Sequence, residues 1–177
     1  MERIIINKSL KKSIYFGILF IGLMGVPMHY LYSLTGESPV VAFISPVNES
    51  VWEHLKLHVL PMAVWWSVSF VVLVRKGFVS FPKWFVSFVT AFAVCPLVIV
   101  LFYYTCTGAL GIHSLALDIF SYVLGVTLSQ LFALHIYRYA DSGSLLFYIS
   151  AIIFTLLMVA FIVFTYDPPP LPIFKTP

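Results

Sequence analysis

Five stretches of this chain are each apolar over a length that can cross a lipid bilayer, and nothing else in the sequence constrains its fold as strongly. They run from about Ser13 to Tyr32, Leu57 to Val74, Trp84 to Tyr104, His113 to Tyr137 and Ser144 to Tyr166. A membrane-crossing helix needs about 20 predominantly apolar residues, and in hydrocarbon a single segment must satisfy its own backbone groups, which makes it a helix. Composition points the same way: 61% of residues are hydrophobic and 10% charged, where an average soluble domain carries roughly 25% charged residues. A water-soluble fold of this size cannot hide so much apolar surface. The expected fold is all-α, one integral membrane domain over residues 1–177: a polytopic bundle of five transmembrane helices.

The connectors give an orientation. Arg3, Lys8, Lys11 and Lys12 precede the first stretch, Arg75, Lys76 and Lys83 lie between the second and third, and Arg138 follows the fourth. All of these fall on one side of a five-span arrangement, leaving only Lys56 and Lys175 on the other. Cytoplasmic loops hold the Lys/Arg excess, so the N-terminus is expected inside and the C-terminus outside. Tyr30, Tyr32, Tyr103, Tyr104 and Tyr166 then sit at the outer interface, and Trp84, Tyr137 and Tyr139 at the inner one, where amphipathic rings are favoured. The first stretch has the basic start of a secretory signal, but Val26-Pro27-Met28-His29-Tyr30 offers no small-x-small cleavage site, so it reads as a retained anchor.

Several features read as structure. Cys95 and Cys106 lie about 16 Å apart along one helix, too far to bridge, and are expected reduced. Ser121, Gly125 and Ser129 form a small-x-x-x-small row suited to close helix packing, and Gly22 and Gly25 line a similar face ending at His29. Asn48-Glu49-Ser50 matches a glycosylation sequon. The proline-rich tail from Asp167 is expected to be extended, either across the outer mouth or as a loose end. No basic arm suited to nucleic acid is present.

Polar chemistry gathers toward one side of the membrane. His29, His54, His58 and His113, with Glu37, Glu49, Glu53, Asp118 and Asp167, fall near the outer ends of the spans, and His135 alone among the histidines lies near the inner face. Ser45-Pro46 is a plausible helix start, a capping hydroxyl followed by proline, opening an interfacial helical segment before the second span. On such a helix Glu49 pairs in face with Glu53, and His54 with His58, while Lys56 reaches back to Glu53. His54 and His58 have the spacing of the two zinc ligands in H-E-x-x-H, but Leu55 stands where the catalytic Glu belongs. The pair is therefore compatible with a metal without being a zincin motif. Asp118, placed about 8 Å down a helix starting at His113, has Ser114, Ser121 and Tyr122 within reach. It is either a helix-to-helix hydrogen-bonding group or a ligand or base, the default reading for an intramembrane carboxylate.

The string Ser45 to Leu57, S-P-V-N-E-S-V-W-E-H-L-K-L, resembles the signature stretch of a family of small bacterial multi-pass membrane proteins of unknown function. His29, Tyr103-Tyr104, Thr107-Gly108 and Asp118 fit the same pattern. The resemblance implies a bacterial cytoplasmic membrane protein and carries no activity, substrate or cofactor.

Three functions follow as expectations. One is a ligand- or metal-binding site at the outer leaflet, with His29, His54, His58 and His113 as metal ligands and Asp118, Glu49 and Glu53 as catalytic carboxylates. Imidazole and carboxylate together suit zinc or a similar divalent ion, and the chemistry would be hydrolysis or transfer on a lipid-linked or extracytoplasmic substrate. The second is a binding or sensing protein that takes a lipid or small molecule. The third, a small transporter or channel subunit, has less behind it, because the ionisable groups do not thread the membrane and no inverted repeat is visible.

Overall fold

The computed structural model describes residues 2–140 and 143–176. The described residues form helices and no strand: α1 (Glu2–Leu34), α2 (Val51–His54), α3 (Val59–Val74), α4 (Phe81–Tyr104), α5 (Leu115–Tyr139) and α6 (Ser144–Tyr166). Short 3-10 turns cover Val41–Phe43, Leu55–His58 and Pro172–Phe174, and a π turn at Thr105–Ala109 extends α4. Five helical runs are long and apolar enough to cross a membrane: Lys8–Leu34, Val51–Val74, Phe81–Ala109, Leu115–Tyr139 and Ser144–Tyr166.

Local chemistry explains where the runs begin and end. Proline in the first turn of α4 costs no hydrogen bond, because that amide has no intrahelical partner. Gly77, at φ +69°, turns the chain after α3, and Phe78 N–H returns to the Leu73 carbonyl at 3.1 Å, a bond that closes orphan carbonyls at a helix end. The first run is longer than the expected span because Lys8, Lys11 and Lys12 are good helix formers that carry the helix past the apolar stretch.

α4 is the central helix. Its aromatic face meets α6 through Phe88 and Phe92, with Phe92 and Phe154 ring centroids 5.2 Å apart. Its other face receives α5, where a Cβ on Gly125 would lie 3.0 Å from the Cys95 carbonyl, so only glycine allows this approach. Ser121 and Ser129 flank it, buried, as the small-residue row suggests. α1 closes the bundle through Gly17 beneath Trp65 and Gly25 beneath Tyr122, whose hydroxyl donates to the Ile21 carbonyl at 2.9 Å. A Cβ on Gly22 would meet no atom of another helix within 4 Å, so only Gly25 of that expected pair makes a close contact. Cys95 and Cys106 are free and buried. α6 is the peripheral helix, with Leu145, Ile152 and Leu156 on its outward side.

The tail after α6 folds back. Phe174 packs with its ring centroid 5.0 Å from Trp52, tilted, and 5.4 Å from Phe164, edge-on, and Tyr166 donates to the Pro39 carbonyl at 3.0 Å. Aromatic burial thus gathers the tail, the 35–50 connector and the C-terminal end of α6 at one end of the bundle.

Candidate metal centre

The connector from Thr35 to Ser50 sets the site. Ser45, expected to start a helix, instead binds α1: its hydroxyl donates to the Met28 carbonyl at 2.7 Å and accepts from Tyr32 N–H at 3.2 Å. These two backbone groups are a helical turn apart, the pair an α-helix ordinarily joins, so an inserted hydroxyl anchors the connector beside His29. The helix begins at Ser50, whose side chain accepts from Glu53 N–H at 3.3 Å. Asn48 Oδ1 in turn accepts from Ser50 N–H at 2.9 Å, tightening the turn that carries Glu49.

Three ligating atoms meet at this point. His29 Nε2 lies 3.1 Å from His54 Nε2, and Glu49 Oε2 lies 3.6 Å from the first and 3.4 Å from the second. No other trio or larger group of His, Cys, Asp and Glu converges in this way among the described residues. The edges of a tetrahedron with metal–ligand bonds of about 2.0–2.1 Å are about 3.3–3.4 Å long, so the triangle has the size of one face of a zinc site. The two imidazoles are about one-third exposed and the Glu49 side chain 64% exposed, which leaves the fourth direction open.

The proton on His54 has a defined place. Its Nδ1 lies 2.9 Å from the Ser50 carbonyl, which can only accept, so Nδ1 carries the hydrogen. Nε2, the other ring nitrogen, is the atom turned toward His29 and Glu49. A backbone carbonyl on the distal nitrogen is the usual way a protein orients a metal-binding histidine. His29 lacks that support: its Nδ1 is buried without a hydrogen-bond partner.

One residue before His54, the chemistry is closed. Glu53 is 2% exposed and Lys56 is fully buried. Their ion pair is completed on all sides: Lys56 Nζ also donates to the Ala42 carbonyl at 2.6 Å and to Thr165 Oγ1 at 2.9 Å. Glu53 Oε2 also accepts from Val47 N–H at 2.9 Å. The Thr165 proton lies between the Phe161 carbonyl (2.7 Å) and Glu53 Oε1 (3.2 Å). Lys56 therefore spends its three protons, and the knot joins the connector, the start of the second run and the end of α6. The expected Lys56–Glu53 pairing is present, but Glu53 does not share a face with Glu49. Glu49 precedes the helix, so helical spacing does not apply to it.

His54 and His58 do not form a pair either. His58 is buried, with Nδ1 on the Leu55 carbonyl and Nε2 3.2 Å from the Phe92 carbonyl. The Leu55–His58 segment is a 3-10 turn, advancing about 120° per residue where an α-helix advances about 100°. Over four residues the difference approaches 80°, enough to carry His58 off the His54 face and into the core beside Phe92 and Phe161.

His113 and Asp118 are exposed and stand outside the triangle. α5 starts at Leu115 with Ser114 as its cap residue, so Asp118 belongs to the first turn, where a carboxylate suits the helix dipole, and does not lie 8 Å down the helix. Ser121 donates to the Asp118 backbone carbonyl at 2.7 Å, and Tyr122 is committed to Ile21. Neither serves the carboxylate. The true helix start was legible in Ser50-Val51-Trp52-Glu53, the S-x-x-E pattern of a capping box. The meeting of His29 with Glu49 and His54 has no local signature, since it joins residues 20 and 25 positions apart.

A model of a family described as a family of unknown function, DUF6512, matches residues 1–177. No curated protein and no solved structure matches the chain.

Proposed function

We propose that this chain, which belongs to the DUF6512 family, is a divalent-metal-binding membrane protein, with His29, Glu49 and His54 as the protein ligands. The observation that carries this reading is the triangle of 3.1, 3.4 and 3.6 Å between two imidazole nitrogens and a carboxylate oxygen, supported by the hydrogen bond that fixes the His54 tautomer. Two histidines and one carboxylate with an open position suit zinc, and the same donor set also holds Fe(II). The cation-poor end of the bundle carries this site. By the positive-inside rule that end faces away from the cytoplasm, at the outer surface of a bacterial cytoplasmic membrane if the source is the one the sequence resemblance implies.

The open fourth direction favours a catalytic role over a purely structural one. Structural zinc sites are closed by four protein ligands, whereas catalytic sites keep three and leave the fourth to water or substrate. Such a metal acidifies its water for hydrolysis or transfer, and the interfacial position suits a lipid-linked or extracytoplasmic substrate. Asp118, exposed in the first turn of α5 and outside the triangle, is the carboxylate assigned to serve as a base. It stands one turn from Tyr122 toward the same end of the bundle, and Tyr122 packs on Gly25, one turn before His29.

The test is elemental analysis of detergent-purified protein made without a histidine tag, comparing wild type with His29→Ala/His54→Ala. Near-stoichiometric zinc in the wild type, lost in a variant that keeps its helical circular dichroism and monodispersity, is the expected result. A wild type that stays metal-free after incubation with zinc and other divalent ions would overturn the reading and leave the triangle as a hydrogen-bonded cluster.

A further inference from the structure

At the opposite end of the bundle a groove of about 170 Å³ opens sideways between α4, α5 and α6. Val86 and Val89 form its buried floor, and Ile149 and Ile153 of α6 its partly exposed rim. Two hydroxyls line it, but both are turned back on their own helices: Thr90 donates to the Val86 carbonyl at 2.9 Å and Ser150 to the Leu146 carbonyl at 2.8 Å. The groove therefore presents hydrocarbon and no free donor.

Its position in the membrane is specific. Lys83, Val86, Thr90 and Ala93 fall on one stripe of α4, spaced three and four residues apart. From Lys83 to Ala93 the helix rises about 15 Å, half of the roughly 30 Å hydrocarbon core. The groove thus runs through one leaflet, starting a turn away from a lysine in the first turn of a membrane helix. The Lys83 ammonium lies 5.5 Å from the centre of the Tyr137 ring, and Tyr137 follows Ile136, which lines the groove from α5. Arg75, Lys76 and Arg138 belong to the same cation-rich end.

We infer that the groove between α4, α5 and α6, with Lys83 at its mouth, is a binding site for an anionic phospholipid, one acyl chain lying over Val86 and Ala93 and the phosphate meeting Lys83. Charge complementarity selects this occupant: a neutral helix from a second copy would gain nothing from the lysine, whereas a headgroup phosphate sits at its level. The site is independent of the His29, Glu49 and His54 triangle, which is built on α1, the connector and α2.

Native mass spectrometry of the full-length protein tests this, with phosphatidylglycerol and phosphatidylcholine of identical acyl chains as probes. Wild type is expected to retain phosphatidylglycerol about fivefold more tightly, the worth of one lysine near a phosphate surface. Lys83→Gln should erase the preference while leaving weak binding of both lipids. Ala93→Leu, which fills the groove, should remove both, and Ile149→Trp on the rim does the same should the first variant not fold. Equal retention of the two lipids by wild type, or a preference that survives Lys83→Gln and the groove-filling variants, would overturn the inference. So would a dimeric wild type that the groove-filling variants split, since the occupant would then be a second copy.

Discussion

Two polar clusters sit side by side at one end of this bundle, built from adjacent residues, and they differ in what remains unspent. Glu53 and Lys56 form a buried pair in which every lysine proton and both carboxylate oxygens have partners. His29, Glu49 and His54 form a part-exposed triangle in which two imidazole nitrogens share one contact of 3.1 Å and the Glu49 carboxylate stands largely open to the outside. The Glu53 and His54 side chains leave neighbouring backbone positions in different directions. The first points into protein, where an unpaired charge is intolerable. The second points to a rim, where an unfilled valence can persist until a ligand arrives. Neither residue type nor sequence proximity separates framework from site here; what separates them is how completely each polar atom is satisfied.

The largest expected effect breaks the closed cluster. Lys56→Met leaves the Glu53 carboxylate buried without its counter-charge, and breaking a buried pair from one side costs about 3–5 kcal/mol. Denaturant unfolding in detergent should show that loss, and Glu53→Gln/Lys56→Met should recover much of it, because the double variant buries no lone charge. A Lys56→Met protein as stable as wild type would mean that the knot is not a framework element.

A smaller loss is expected from Thr165→Val. The swap keeps the shape of the side chain but removes the acceptor of one Lys56 proton and the link between α6 and Glu53. A buried donor left without its acceptor costs about 1–3 kcal/mol. Thr165 does not touch the triangle, so bound zinc should stay at the wild-type level while the unfolding midpoint falls. A fall in zinc with no change in midpoint would reverse the assignment of roles.

Much of the architecture was legible because lipid enforces it. Hydropathy alone locates five spans, since each must be long, apolar and internally hydrogen-bonded, and the run from Ser144 to Tyr166 was found to the residue. The ends were less legible where a tertiary contact outcompeted a local signal: Ser45-Pro46 looks like a helix start until the Met28 carbonyl and Tyr32 amide claim the hydroxyl. The candidate site was legible only in part. His29, Glu49 and His54 stood in a pool of outer-face candidates, but a single 3-10 turn removed His58 from that pool and burial removed Glu53. Spacing rules assume one helical period, and the period changes within the eight residues from Val51 to His58. The convergence of His29 with the later pair depends on how α1 docks, which no local pattern encodes.

Ser50 gives the finest test, because it serves both clusters through different atoms. Its hydroxyl caps α2 by accepting from Glu53 N–H, on the side of the closed knot. Its carbonyl accepts from His54 Nδ1–H and so aims Nε2, on the side of the triangle. Ser50→Ala deletes the first function and keeps the second. Loss of a serine N-cap costs about 1 kcal/mol, so the unfolding midpoint should drop slightly, whereas zinc affinity should not change, because the backbone carbonyl remains. Were the two clusters one energetic unit, loosening the cap would let His54 swing, and affinity would fall by the 10–100-fold that follows loss of a histidine's outer partner. A zinc titration of Ser50→Ala beside its unfolding curve therefore decides whether the rim site stands on the framework as a separate part or is continuous with it.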